Sequence, residues 1–157
     1  LAAVPQFNGF HDGQGFRPGT GVHLGCAIAL RGGGLVAPAI HHADRLPLPQ
    51  LMQALRDLVQ RARNGGLRSS ELTDPTVTVT DLGDRGAECV FGVIHPPQVA
   101  LIGLGRIVRR PWLLGDRIAV RPLVSATLSA DHRCSDGHLG SQLLAAIERA
   151  LQRPDQL

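Results

Sequence analysis

LSADHRCSDGHLG, residues Leu128 to Gly140, is the stretch on which the reading of this chain turns. Upstream of it, DRIAVRPLVSATLSADHR (Asp116 to Arg133) is dense in apolar and β-branched residues and predicts a long strand. Downstream, HLGSQLLAAIERALQ places Leu139, Leu143, Ile147 and Leu151 four apart, which predicts an amphipathic helix. Asp131, His132, Arg133, Asp136 and His138 are therefore crowded into a strand-to-helix turn. As a plain turn the segment reads simply: Asp136 or Ser135 caps the helix, and Gly137 supplies backbone freedom. As a working site it offers His132 as a base, followed four residues later by an Asp-Gly pair.

Further from the turn, LPLPQLMQALRDLVQRARNGG sets Leu51, Leu55, Leu58 and Ala62 at helical spacing, with Pro49 in the first turn and Asn64-Gly65-Gly66 as the stop. TVTVTDLGDRG (Thr76 to Gly86) alternates threonine and valine and predicts a strand with one apolar face, running into a glycine-rich turn. VALIGLGRIVRR (Val99 to Arg110) predicts another long strand. GVHLGCAIAL (Gly21 to Leu30) and LVAPAI (Leu35 to Ile40) read as two strands of a hairpin joined through RGGG, and the first twenty residues as a loop. The order loop, β, β, α, β, β, β, α predicts an α/β (α+β) mixed-sheet sandwich. Nucleotide-fold signatures fail: GLGRIV carries Val108 where a dinucleotide fingerprint needs its third glycine, and a strand-like run, not a helix, follows RGGG.

Composition narrows the function class. The chain has 157 residues, enough for one domain with a real core, and 43% are hydrophobic while only 3% are aromatic. All sixteen basic residues are arginine, scattered along the chain, with a net charge of +3. Scattered arginines with so few aromatics for base stacking exclude a nucleic-acid partner as the expectation. Cys26, Cys89 and Cys134 form no CxxC pair, which argues against a disulfide framework or a structural metal and for a reducing, cytoplasmic setting. No apolar run reaches membrane-spanning length, so no membrane partner is expected, and the first ten residues lack the features of a signal peptide.

The motifs together point to one family. LSADHRCSDG resembles the signature Leu-Ser-x-Asp-His-Arg-x-x-Asp-Gly of the dihydrolipoamide acyltransferases, the catalytic core components of 2-oxo acid dehydrogenase complexes. PQFNGF resembles the family's Pro-x-x-Asn segment, and VHLGCAIALRGGGLVAPAI its strand pair with Gly-Leu-Val-x-Pro. LRSSELTDPTVTVTDLGDRG is similar to its Leu-x-x-x-Glu segment followed by Thr-x-Thr-x-Ser/Thr-Asn-Leu-Gly, and VIHPPQVALIGLGRI to Ile-x-Pro-Pro-x-x-Ala-Ile. The resemblance covers nearly the whole chain. It implies a chloramphenicol acetyltransferase-like fold and a homotrimer that assembles into a multi-trimer core with decarboxylase and dihydrolipoamide dehydrogenase partners. It also implies that residues 1–157 are the C-terminal two thirds of a catalytic domain, with the lipoyl and peripheral-subunit-binding domains outside this chain.

Acyl transfer between dihydrolipoamide and coenzyme A needs a base to generate a thiolate, because a thiol with pKa near about 8.5 is mostly protonated at neutral pH. His132 is the residue expected to serve. The resemblance gives Thr80 the oxyanion-stabilising hydroxyl, with His132 of one subunit meeting Thr80 of its neighbour. Asp136 shapes the site through an ion pair with an arginine left unassigned, Arg133 being near in sequence. Thr80, Asp81, Gly105 and Arg106 are placed along the coenzyme A channel, and lipoamide arrives on a domain outside this chain. Arg109 and Arg110 read as surface charge; His41, His42, His95 and His138 as surface or core histidines; His23 as a residue facing the channel. Asp81 departs from the usual Asn or Ser, and Cys134-Ser135 from a pair of aliphatics. A non-catalytic scaffold paralogue is the alternative. Condensation domains, which place a second histidine where Asp131 stands, and antibiotic acetyltransferases match less of the chain.

Overall fold

The computed structural model describes residues 1–84 and 86–153. Its strands are β1 (Gly9–His11), β2 (Phe16–Pro18), β3 (Leu24–Cys26), β4 (Ile28–Ala29), β5 (Leu35–Val36), β6 (Ala39–Ile40), β7 (Val77–Asp81), β8 (Ala100–Leu104), β9 (Val108–Leu114), β10 (Arg117–Leu123) and β11 (Ala126–Ala130). Its α-helices are α1 (Leu48–Asn64), α2 (Ser69–Thr73) and α3 (Gly137–Leu151). Five strands form the main sheet in the order β11-β8-β7-β3-β6. β7 runs parallel to both β3 and β8, whereas β11 and β6 pair antiparallel at the edges.

Register assigns the faces, because paired residues point to the same side of a sheet. Leu24, Ile40, Val77, Val79, Ile102 and Leu128 share one face. Both long helices lie against that face. Leu139, Leu143 and Ile147 of α3 pack with Val77, Ala100 and Ile102, and Phe7 and Val4 complete this cluster. Leu58 and Ala62 of α1 pack with Ile28 and Ile40. The opposite face carries Thr78, Thr80, Leu101, Gly103 and Thr127. Residues 90–92 lie across it. The Thr127 hydroxyl donates to the Val90 carbonyl, and a side chain at Gly92 would overlap Leu101. The mixed-sheet sandwich expected from the sequence is what forms, with α1 and α3 on one side.

Both long helices form where their periodicity predicts. Leu58 and Ala62 are buried, and Gly65 ends α1 at φ 76°, a left-handed conformation that favours glycine. The strands differ from expectation in several places. The first twenty residues are not a loop: β1 and β2 pair as a hairpin, and Val4 and Phe7 are core. Gly21 to Leu30 is two strands, β3 in the main sheet and β4 outside it, while β5 and β6 divide at Ala37-Pro38. The hairpin through RGGG does form, between β4 and β5, with Gly32, Gly33 and Gly34 at positive φ.

Each predicted long strand also bends in two. β8 and β9 separate at Gly105-Arg106-Ile107, and β10 and β11 at Val124-Ser125. The outer halves, β9 and β10, leave the sheet as a hairpin of their own. Their periodicity is continuous through the bend, so the pattern alone does not reveal it. Finally, β7 is buried on both faces as a central parallel strand, not on one. Thr76 and Thr78 are buried and satisfied: Thr76 donates to Asn8 Oδ1 at 2.6 Å and Thr78 to Gln98 Oε1 at 2.7 Å. No helix among the described residues is long and apolar enough to cross a membrane.

Candidate active site

β11 makes its last contact with the sheet through Asp131, whose N–H donates to the Val99 carbonyl at 2.8 Å. The chain then turns on Asp131: its carbonyl accepts the N–H groups of Cys134 at 2.9 Å and Ser135 at 3.2 Å. Asp136 closes the turn as the N-cap of α3, accepting the Leu139 N–H at 2.9 Å. That hydrogen bond holds the Asp136 carboxyl below the usual carboxylate range. His132 stands exposed between Asp131 and Asp136, at the mouth of an open cleft of about 320 Å³. The cleft walls are mainly apolar and small, including Phe7, Leu128, Ala130, Gly140 and Leu144.

Two features of this turn differ from the sequence reading. Gly137 does not adopt a positive φ, and open space surrounds the place a Cβ would occupy, so its conformational freedom is not used. Arg133 is not the partner of Asp136. Its guanidinium forks onto Asp131, with Nε to Oδ1 at 2.9 Å and Nη2 to Oδ2 at 2.6 Å, which holds the Asp131 carboxyl at about 2. Among the described residues Asp136 makes no ion pair.

The other predicted residues gather at the opposite end of the sheet. Thr80 and Asp81 end β7 beside Gly103 and Leu104, and Gly105 and Arg106 follow directly. Thr80 is half-buried, and its hydroxyl has no hydrogen-bond partner among the described residues, unlike those of Thr76 and Thr78. Asp81 Oδ1 accepts the Gly83 N–H at 2.8 Å. Gly105 is buried, and a Cβ there would collide with the Glu88 carbonyl, so its lack of a side chain lets residues 87–89 pass close by. Arg106 Nη2 pairs with Glu88 Oε1 at 2.9 Å, and Arg110 binds the other oxygen of the same carboxylate. Arg110 is therefore not free surface charge. Glu88 gave no signal in the sequence because its segment has no regular structure and no motif spacing.

Thr80 and His132 do not meet within one chain. Thr80 is level with Gly103 and Thr127, and His132 lies five residues further along the β11 direction and two strands across. At about 3.4 Å per residue and about 4.8 Å between strands, the separation is roughly 19 Å. The Thr80 side chain also points to the sheet face opposite the helices, whereas the His132 cleft lies between β11 and α3.

Several of the remaining histidines find partners of their own. His23, His41 and His42 cluster with ring centroids 5.1 Å and 4.7 Å apart, and His23 Nδ1 accepts the His42 N–H at 3.2 Å. Desolvation, then the neighbouring imidazoles, lowers the His23 pKa. His41 pairs with Asp74 at 2.9 Å, and His138 with Gln142 at 2.9 Å. His23 thus belongs to this cluster, four strands' width from β11 at its His42 end. Among the described residues no three His, Cys, Asp or Glu side chains converge as a metal site.

Comparison with known proteins supplies the family. The model of the 2-oxoacid dehydrogenases acyltransferase (catalytic domain) matches residues 1–157. A dihydrolipoyllysine-residue acetyltransferase component of the acetoin cleaving system of Bacillus subtilis (strain 168) is 34% identical over the whole chain, which covers 39% of that relative. The corresponding component of the pyruvate dehydrogenase complex of Staphylococcus aureus (strain N315) is 35% identical over 124 residues, 79% of this chain and 29% of its own length. The chain thus spans about two fifths or less of these relatives. The solved structure of a probable dihydrolipoamide acetyltransferase from Listeria monocytogenes 4b F2365 superposes with TM-score 0.92 and 33% identity, covering 98% of this chain and 65% of that one. A dihydrolipoamide acetyltransferase from Azotobacter vinelandii, solved to establish the role of one serine, one histidine and one asparagine in its catalytic mechanism, gives 0.90 at 26%, covering 99% and 65%. With the family model matched from end to end and the architecture shared with these catalytic cores, the chain belongs to the 2-oxo acid dehydrogenase acyltransferase family.

Proposed function

We propose that this chain is the main part of an acyltransferase domain that moves an acyl group between coenzyme A and dihydrolipoamide, at a site built between two copies of the chain. One observation carries the residue assignment. Thr80 stands 52 residues before His132 and Asp136 four after it, the same intervals that separate the serine, histidine and asparagine of the Azotobacter enzyme. His132 takes the proton of the attacking thiol and returns it to the departing thiolate, so the imidazole ends each turnover neutral. Thr80 of the neighbouring copy donates its hydroxyl to the carbonyl oxygen as negative charge builds there. Asp136 acts through the fold, by capping α3 and fixing the turn that carries His132.

The surface supports assembly. Leu113, Ile118 and Val120 lie exposed together on one face of the β9–β10 hairpin, and Phe91, Val93 and Ile107 are also exposed. Contiguous apolar surface of this kind is uncommon on a monomer. A homotrimer in a multi-trimer core, working with decarboxylase and dihydrolipoamide dehydrogenase components in the cytoplasm, is the setting we assign. Coenzyme A fits best at Thr80, Asp81 and the half-exposed Arg106; Gly105 serves by letting residues 87–89 pass.

The test is acyl transfer from acetyl-, succinyl- and isobutyryl-coenzyme A to dihydrolipoamide by the full-length protein, beside His132→Ala. Acetyl is the first donor to try, since the relatives are acetyltransferases. Turnover of one donor, with a fall of about 10²-fold or more in the alanine variant, is expected. An assembled protein that transfers none of the three would bring forward the scaffold alternative.

A further inference from the structure

The turn that presents His132 is organised by its two immediate neighbours. Asp131 gathers polar contacts through both its backbone and its carboxylate. Its N–H reaches Val99 in β8's approach, its carbonyl takes the Cys134 and Ser135 N–H groups, and Ser135 Oγ lies at 3.4 Å from the same oxygen. Its carboxylate accepts the Arg133 N–H at 3.0 Å and the Arg133 guanidinium through both oxygens. The Asp131 side chain is 11% exposed, whereas Arg133 is 67% exposed, so the pair is a buried anchor with a solvent-side clasp.

Residues 131 and 133 thus grip each other across the backbone of residue 132. With that clasp closed, the carboxylate of Asp131 is engaged by the Arg133 guanidinium and backbone N–H, and His132 between them lines the cleft formed by β11 and α3. We propose that the Asp131–Arg133 pair is the positioning device for His132, setting its backbone and hence the approach of its imidazole to the reacting thiol. Asp131 is not itself a proton acceptor in the reaction. Its charged surroundings are Arg133 and, from β1, His11; both favour its ionised form.

The inference rests on His132 being the base, and the experiment separates the two. The full-length protein and its His132→Ala, Asp131→Asn, Asp131→Ala, Arg133→Ala and Asp131→Ala/His132→Ala variants are assayed for acyl transfer, with assembly state and melting temperature followed. A misplacement of about 1 Å in a catalytic group costs on the order of 10²-fold. Asp131→Ala is therefore expected to lose about that factor in kcat while KM for both substrates changes less than threefold. Asp131→Asn, which keeps one acceptor oxygen and loses the charge, recovers part of the loss. Arg133→Ala loses less than Asp131→Ala because the Asp131 carboxylate still accepts the backbone N–H of residue 133. Adding Asp131→Ala to His132→Ala lowers activity no further, since a positioning residue has nothing left to position.

A double variant well below His132→Ala, or an assembled Asp131→Ala protein within threefold of the parent, overturns the inference. So does an Asp131→Ala protein whose activity loss is matched by Asp131→Asn and tracks loss of assembly, because that marks a folding residue. If His132→Ala alone retains full activity, the assignment of the base fails instead, and the inference falls with it.

Discussion

A site divided between chains has a quantitative consequence. Thr80 and His132 are roughly 19 Å apart in one chain and on different sheet faces, so no side-chain movement joins them. Two inactive variants should then repair each other. In Thr80→Val every site lacks the hydroxyl, at a cost of about 10²–10³ in kcat; in His132→Ala every site lacks the base, at about 10²–10⁴. In randomly co-assembled ring trimers, a working site needs a base-bearing Thr80→Val subunit beside a hydroxyl-bearing His132→Ala subunit in one rotational sense. That condition holds at about one quarter of the sites in an equal mixture. The assay co-expresses the two variants under separate tags, purifies through both, and measures transfer between acetyl-coenzyme A and dihydrolipoamide per subunit. Recovery to about one third of the parent for isolated mixed trimers, or about one quarter for a multi-trimer core that carries both tags in every particle, is expected from variants each at about one per cent or less. A doubly tagged mixture no more active than the average of its two components would refute the division of the site.

Three further outcomes follow from the packing of the chain. Arg61 Nη1 lies 2.6 Å from Glu71 Oε2, and the Glu71 side chain is 7% exposed while that of Arg61 is 29% exposed. Arg61→Ala should cost about 3 kcal/mol in urea unfolding, at the low end for breaking a buried pair because water reaches Arg61. The Arg61 guanidinium holds the Glu71 carboxyl below its ordinary value, so the pair's contribution is full above that value and lost as pH falls through the lowered one. Parent and Arg61→Ala stabilities should accordingly converge in acid; a gap that persists there counts against the pair. Thr76→Val strands the Asn8 carbonyl and the His23 N–H, which meets Thr76 Oγ1 at 3.0 Å, and should cost about 2–3 kcal/mol by denaturant titration, with a change under about 0.5 kcal/mol as the contrary result. Gly105→Ala should push residues 87–89 off β8, cost about 2–3 kcal/mol and abolish amide protection at Arg106, whose N–H donates to the Ala87 carbonyl at 3.0 Å. Gly66→Ala, where the nearest atom is 3.8 Å from a Cβ, is the control expected to leave hydrogen exchange unchanged.

What the sequence revealed depended on how local each signal is. The helical spacing of Leu51, Leu55, Leu58 and Ala62 is a property of one segment, and α1 forms there. The RGGG hairpin is likewise local, and its three glycines take positive φ. The bends at Gly105 and Ser125 are not local. They depend on residues 87–89 crossing the strand, an event set by a segment with no periodicity of its own. For the same reason Thr76, Thr78 and Thr80 look alike in sequence yet differ in kind. Asn8 claims the first hydroxyl and Gln98 the second, each from a distant part of the chain, and among the described residues the third is unclaimed. The family resemblance identified Thr80; the residue's own surroundings give an independent reason to single it out.

If His132 and Thr80 serve one site, as proposed, the direction of the strands explains why they must come from different chains. β7 and β8 run parallel, so a residue late in β7 lies beside the end of β8; β11 runs antiparallel, so a residue after β11 lies beside the start of β8. Any pair drawn from the exit of β7 and the exit of β11 is thereby kept a sheet's length apart, whatever the side chains. Mutation cannot bring them together without changing the strand order. A second copy can, because its β7 exit is free to approach the first copy's β11 exit. Within the two-chain reading, catalysis is tied to assembly by topology: a subunit that dissociates loses the oxyanion donor and keeps an intact, exposed His132. Activity should then fall with dilution in parallel with trimer dissociation, while the fold measured by circular dichroism remains; activity per subunit that stays constant through dissociation would show that one chain holds a complete site.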